Sequence, residues 1–315
     1  MSGTDQEWSG RIVAGATILT IGVMAGSVNI AAIFSIYRSS PLHNAFGILC
    51  AANLLSDIGF LLPEVFWAAP AEIFGWSDSV MSSVFGKRMG MVLIMFCSIS
   101  LYTQLLIAIN RLVAILAPMS YSTLFSPKRT VYILVGLWIF GLLRSVPHFI
   151  DGCEIVYKVN SFAWDVANTP CGRLSIFYLE YVMGTTVCGT VIVVNTVTFI
   201  MIYKHTKKLS AMNESFAKKE AILHKNNLSY FLQSSTKATL FVLALIICYF
   251  ISDFATTKWE TFATTTLTLE IAHSVNGVII FVFNDSLRCG LTSPALICWR
   301  ERIKLQSSSG TKSKW

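Results

Sequence analysis

Met89-Gly90-Met91-Val92-Leu93-Ile94-Met95-Phe96-Cys97-Ser98-Ile99-Ser100-Leu101-Tyr102-Thr103-Gln104-Leu105-Leu106-Ile107-Ala108-Ile109-Asn110 is a run of 22 residues without a charge, and Arg111 ends it. As a helix it is about 33 Å long at ~1.5 Å per residue, enough to cross a hydrocarbon core of about 30 Å. A cation at the end of such a span can extend its guanidinium to the interface, so Arg111 is compatible with the assignment. The apolar part continues to Leu116.

Outward from this span the same pattern recurs six times. The first span is Ile12 to Tyr37, uncharged throughout; the second, about Asn44 to Trp67, contains Asp57 and Glu64. After the third, Met89 to Leu116, a fourth runs from about Thr130 to Ile150 with Arg144 near its end, and a fifth from Leu174 to Tyr203 with Glu180 near its start. The sixth is read from Ala238 to Thr257, and the seventh from Thr261 to Phe283 with Glu270 and His273 inside. The fold class is an all-α membrane protein, a bundle of seven transmembrane helices. Composition agrees: only 13% of the 315 residues are charged, against about 25% in a soluble protein.

Orientation is read from basic residues. With the amino terminus outside, 17 of the 24 Lys and Arg fall on the inner side, which places the carboxyl terminus in the cytoplasm by the positive-inside rule. The net charge of +7 then describes a rim facing anionic lipid and carries no implication of nucleic acid. Residues 1–11 are expected to be an extracellular tail, 12–286 the bundle, and 287–315 a cytoplasmic amphipathic stretch with a disordered tail. The first span is too long for a signal-peptide core and its leader is acidic (Asp5, Glu7), so it is expected to act as an uncleaved signal-anchor.

Cys153 and Cys171 lie in the loop between spans four and five, on the oxidising side, with 17 residues between them. A disulfide there would stabilise the loop by roughly 3 kcal/mol. Cys289 and Cys298 follow the seventh span on the inner side and are candidates for lipidation; Cys50, Cys97, Cys188 and Cys248 read as buried thiols.

Polar residues inside spans are costly, so their spacing is informative. Glu270, His273, Asn276 and Asn284 recur at helical intervals on one face of span seven, and Asn53, Asp57 and Glu64 share a face of span two. Asn29, Asn53, Asp57 and Asn276 fall near mid-membrane, where interhelical glue and ion coordination both remain open. Glu64, Arg144, His148, Glu180, Asp253, Glu270 and His273, with the aromatics Tyr181 and Trp259, fall toward the outer ends and are candidates for a ligand pocket. No Gly-rich phosphate loop, His-Glu-x-x-His or Cys-x-x-Cys pair occurs in the sequence, so nothing in it points to an enzyme.

Several motifs resemble those of rhodopsin-like G-protein-coupled receptors: Gly26-Ser27-Val28-Asn29, Asn53-Leu54-Leu55-Ser56-Asp57, Arg111, Trp138 and Asn276-Gly277-Val278-Ile279-Ile280, followed by a short amphipathic helix from Asn284 to about Cys289. More narrowly, the chain resembles the nematode serpentine chemoreceptors of class X. That resemblance is carried by Ile109-Asn110-Arg111-Leu112, Ser120-Tyr121-Ser122-Thr123-Leu124-Phe125-Ser126, Asp151-Gly152-Cys153 with Thr169-Pro170-Cys171-Gly172, and Phe283-Asn284-Asp285-Ser286-Leu287-Arg288.

The resemblance implies an extracellular small-molecule or peptide ligand and a heterotrimeric G protein contacted by Arg111, Asn110, Tyr121, Lys128 and Lys237. It also implies a structural sodium ion near Asp57 as the sole cofactor, the plasma membrane as location, and by family a sensory cilium. Departures from the receptor pattern are Asn110 in place of an acid, Leu112 after the arginine, no cysteine around Phe85-Gly86-Lys87, no Trp-x-Pro in span six, and Ile280 in place of a tyrosine. The alternatives are a seven-helix ligand-gated channel or transporter, against which the halves show no repeat, and a receptor-like protein that no longer signals.

Overall fold

The computed structural model describes residues 3–209 and 214–283. Among them, seven helices are long and apolar enough to cross a membrane. They are α1 (Gly3–Arg38), α2 (Ala45–Ile73), α3 (Val84–Leu116), α4 (Pro127–Phe149), α5 (Pro170–Lys204), α6 (Leu228–Phe254) and α7 (Lys258–Phe283). Five begin at a side-chain cap that satisfies an orphan backbone N–H: Asn44, Ser83, Ser126, Thr169 and Thr257 accept from Gly47, Gly86, Arg129, Gly172 and Glu260. At α7 the cap is reciprocal, with the Glu260 carboxylate accepting from the Thr257 N–H.

Most spans begin three to five residues before the sequence reading places them, α3 at Val84 and α5 at Pro170 among them, and three further departures carry structural meaning. Helix α1 begins at Gly3, so most of the stretch expected as a tail is helical. Arg11 within it pairs with Glu72 at 2.9 Å and donates to the Ala71 and Trp76 carbonyls, closing the far end of α2. Helix α2 itself runs six residues beyond Trp67, to Ile73. The apolar part of α6 starts at Leu228 rather than Ala238, because Lys237 is buried and paired inside the bundle and does not end the span. The amphipathic stretch from Asn284 to Cys289, with Cys289, Cys298 and the tail, lies outside the described residues.

Helix α3 is the central post, packed on α2, α4, α5 and α6, while α1 packs on α2 and α7. Close approach is built in where side chains are missing. A Cβ at Gly277 would sit 2.6 Å from the Asn29 side-chain oxygen, and one at Gly141 would sit 2.5 Å from Ile99. Large apolar side chains such as Met24, Phe34, Tyr132, Leu143 and Val193 face outward, the arrangement expected when hydrocarbon is the solvent.

Between α4 and α5 a hairpin of β1 (Ile155–Lys158) and β2 (Ala163–Val166) covers one end of the bundle, paired antiparallel with Ile155 opposite Val166. This end is the hairpin end below. A disulfide joins Cys153 to Cys171, with Cα atoms 5.1 Å apart. The hairpin turns at Phe162, which is fully buried and has φ 56°, a conformation costly for a bulky residue. Trp259 and Phe262 of α7 hold its ring at 5.3 and 6.1 Å.

Four spans widen by a π-turn, all toward the hairpin end: Glu64–Ala68 in α2 just after Pro63, Ile176–Val182 in α5, Ile247–Ile251 in α6 and Ala263–Leu267 in α7. Such bulges re-aim side chains and are frequent at functional sites. In α6 the bulge stands in the region where the receptor pattern has its proline hinge.

Candidate functional site

The polar residues sort into three levels along the bundle. At mid-bundle Asp57 is fully buried and saturated. Its Oδ1 accepts from Ser100 Oγ and His273 Nδ1, both at 2.7 Å, and its Oδ2 accepts from Lys237 Nζ at 2.6 Å and Asn276 Nδ2 at 2.7 Å. Asn53 Oδ1 takes a second bond from each of the same donors, Lys237 Nζ at 2.5 Å and Asn276 Nδ2 at 3.1 Å, while its amide donates to Ser100. Asn29 receives the Gly277 N–H at 3.0 Å and reaches the His273 carbonyl.

Of the four residues expected to form an internal network, Asn53, Asp57 and Asn276 meet directly and Asn29 reaches them through the α7 backbone; three residues not assigned to it, Ser100, His273 and Lys237, complete it. Ser100 has no distinguishing signal in the sequence. His273 was placed with the ligand candidates, but it stacks on Phe60 at 3.9 Å and binds Asp57. Lys237 was placed on the inner rim as a G-protein contact, yet it is 3% exposed and salt-bridged to Asp57. A lysine one residue before an apolar run reads as a rim residue because rim lysines are the common case. Only the position of Asp57 across the bundle shows otherwise.

The residues at Asp57 do not fit the implied sodium ion. The ammonium already uses Asp57 Oδ2 and Asn53 Oδ1, the oxygens an ion would need. A second unit cation about 4 Å away would be repelled by about 4 kcal/mol at an effective dielectric of 20. The void beside Lys237, bordered by Cys50, Gln104, Gln233 and Ile280, measures about 10 Å³, room for no more than about one water.

At the end opposite the hairpin, Arg111 is buried rather than presented at the surface. Its guanidinium carbon lies 3.3 Å from the Phe46 ring centroid of α2 and 4.6 Å from that of Tyr230 of α6, whose rings are 4.6 Å apart. A desolvated cation–π contact contributes about 2 kcal/mol or more. Arg111 Nε and Nη2 have no hydrogen-bond partner among the described residues, so the aromatic clamp stands where the receptor pattern has an acid. Asn110 donates to the Tyr121 hydroxyl at 3.2 Å; its Oδ1 has no partner among the described residues. Lys128 is exposed beyond them at the start of α4.

The ligand candidates do not share one pocket. Arg144 of α4 pairs with Glu180 of α5 at 3.1 Å and donates to Ser98 of α3. His148 donates to the Cys153 carbonyl at 2.8 Å, with its Nε2 at 4.0 Å from Glu180. These three close a strut among α3, α4, α5 and the disulfide loop. Tyr181 packs edge-on to Tyr249 and Phe250, Asp253 is exposed at the end of α6, and Trp259 is partly exposed against Phe162.

Arg144 Nε, His148 Nε2 and Glu180 Oε1 also lack a hydrogen-bond partner among the described residues, but Glu64 and Glu270 differ in having no ion pair there either. Both are buried under the hairpin. Glu64 Oε1 accepts from Trp164 Nε1 of β2 at 2.9 Å, but Glu64 Oε2 and both Glu270 oxygens have no hydrogen-bond partner among the described residues. Glu270 lies against α1, where a Cβ on Gly22 would be 3.2 Å from its Oε1. Leaving such groups unmet costs about 1–3 kcal/mol each.

With this geometry in place, comparison with known proteins is informative. The family of serpentine-type seven-transmembrane G-protein-coupled chemoreceptors designated Srx matches residues 18–284. Serpentine receptor class X 45 of Caenorhabditis elegans is 23% identical over 294 residues, covering 90% of this chain and 81% of that one. Melanopsin-A of Danio rerio is 25% identical over 82% of this chain and 42% of its own length. Squid rhodopsin superposes with a TM-score of 0.73 at 16% identity, over 90% of this chain and 85% of that one, a likeness of fold.

Proposed function

Because the chain belongs to the Srx family of serpentine seven-transmembrane G-protein-coupled chemoreceptors, we propose that its hairpin end faces the cell exterior and receives the ligand while its Arg111 end faces a heterotrimeric G protein. It is a signalling receptor rather than an enzyme. The observation that carries the assignment of ends is the Arg111 clamp. An arginine buried between one ring from α2 and one from α6 becomes available when α6 moves outward, and a ligand that favours the outward position shifts that population.

The orientation draws support from the distribution of basic residues, which remains lopsided with Lys237 assigned to the core. It puts the disulfide in an oxidising compartment, with the plasma membrane as the destination and a sensory cilium the family's setting. Asn110 and Tyr121 border the arginine, and the exposed Lys128 at the start of α4 completes the inner face.

The ligand is read from Glu64 and Glu270. Three carboxyl oxygens with neither a hydrogen bond nor an ion pair among the described residues, beneath a lid whose Trp164 already donates to the fourth, suit a ligand that carries a cationic or hydrogen-bond-donating group. Arg144 and Glu180, whose charges offset each other, and His148 beside them are assigned a structural role. Agonists found by screening cells against a G-protein readout provide the test. Arg111→Ala abolishes agonist-dependent nucleotide exchange while surface expression persists, and unchanged exchange would remove Arg111 from the mechanism. Glu270→Gln raises the half-maximal concentration of a cationic agonist tenfold or more, about 1.4 kcal/mol; an unchanged value would move the ligand elsewhere.

A further inference from the structure

We propose that Lys237 is the resident cation of the Asp57 site: an ammonium covalently tethered on α6 holds the place of a mobile alkali ion, so the protein neither binds nor responds to sodium at mid-bundle. Three observations carry this. The first is coordination: Nζ sits 2.6 Å from Asp57 Oδ2 and 2.5 Å from Asn53 Oδ1, and Asp57 Oδ1 is filled by Ser100 and His273. The carboxylate thus has its full set of donors from the protein itself.

The second is space. The void bordered by Lys237, Asn53 and Asn276 measures about 10 Å³, too little for an ion together with the waters that would complete its shell. The third is topology. A dissolved ion can leave when helices rearrange, but an ammonium on α6 leaves only with α6. Spans two, three, six and seven all contribute to the one cluster, and Gln104 of α3 adds a bond at 2.8 Å to the Ser234 carbonyl one turn from Lys237. The ion pair is therefore a fixed linkage between α6 and the rest of the bundle, and its occupancy does not depend on the salt outside.

The test uses purified full-length protein in lipid nanodiscs. Thermal unfolding is followed in sodium chloride and in choline chloride at equal ionic strength. Wild type unfolds at the same temperature in both, across the whole sodium range. Lys237→Ala, which frees the carboxylate and opens the space, acquires a sodium-specific rise of several degrees that saturates with concentration. Asp57→Asn in the same background removes that rise.

If Lys237→Ala does not accumulate, Lys237→Gln carries the same comparison, and ²³Na line-broadening on wild type reads binding with no variant at all. A saturable sodium effect in wild type that Asp57→Asn removes would overturn the proposal. So would a folded Lys237→Ala or Lys237→Gln protein indifferent to sodium, because the ammonium would then not be standing in for a cation.

Discussion

Asp57 and Lys237 form a buried ion pair whose two halves are unequal to any surface salt bridge. Removing one partner leaves the other charge in a site of low polarity, a loss of about 3–5 kcal/mol. Lys237→Met alone is therefore expected to lower the unfolding temperature sharply, whereas Lys237→Met combined with Asp57→Asn recovers much of it. A coupling below about 0.5 kcal/mol in that double-mutant cycle would mean that the two charges do not interact. Legibility at this scale was uneven for a physical reason. Asn53, Asp57 and Asn276 declared themselves by helical spacing in apolar runs. Lys237 did not, since a lysine beside a span is ordinarily at the interface, and only its partner on α2 reveals that it is inside. Arg111 was found in sequence, but its partners Phe46 and Tyr230 are aromatics indistinguishable from other core rings until α2 and α6 are brought together.

Among the elements, the hairpin and its loop have the most exposed supports. Lys87 at the start of α3 pairs with Asp151 at 3.0 Å and Glu154 at 2.9 Å. The hydrogen bond and charge of Lys87 hold the Asp151 carboxyl below its ordinary value. For Glu154, burial pushes upward, but the bonds from Lys87 and from backbone N–H groups outweigh it and the net direction is also down. Groups with lowered values stabilise the folded state above the unfolded carboxylate range, and that contribution is lost as pH falls through the folded values. Hydrogen exchange in residues 150–166 is accordingly expected to be slow at neutral pH and to quicken below about pH 4. Exchange that does not change over that interval would show the pairs to be screened away.

The disulfide acts on the same element. Cys153→Ser and Cys171→Ser should lower stability equally, by roughly 3 kcal/mol, and the double variant no further; an additive double loss would count against a shared bond in solution. The cysteine pair was legible from its position in the loop. The strands were not, because the segment from Glu154 to Val166 is too short and too mixed in polarity to declare a period. The π-turns were equally hidden, as no residue type specifies them.

For the whole molecule, seven spans and their order followed from run length alone, since hydrocarbon thickness sets a narrow window for an apolar helix. What run length could not supply was which polar residues face one another. The outer candidates separate into an ion-paired strut at Arg144, Glu180 and His148 and two carboxyls without an ion pair among the described residues, Glu64 and Glu270, a division made by which helices are neighbours. In the proposed mechanism Arg111 meets the G protein and the aromatic clamp holds it back, which can be tested without a ligand. Wild type, Tyr230→Leu, and Tyr230→Leu with Arg111→Ala are reconstituted with a panel of heterotrimeric G proteins, and basal nucleotide exchange is measured. Tyr230→Leu is expected to raise exchange above wild type with at least one heterotrimer, and Arg111→Ala to return it to the receptor-free rate. Exchange that stays elevated without Arg111 would contradict the mechanism.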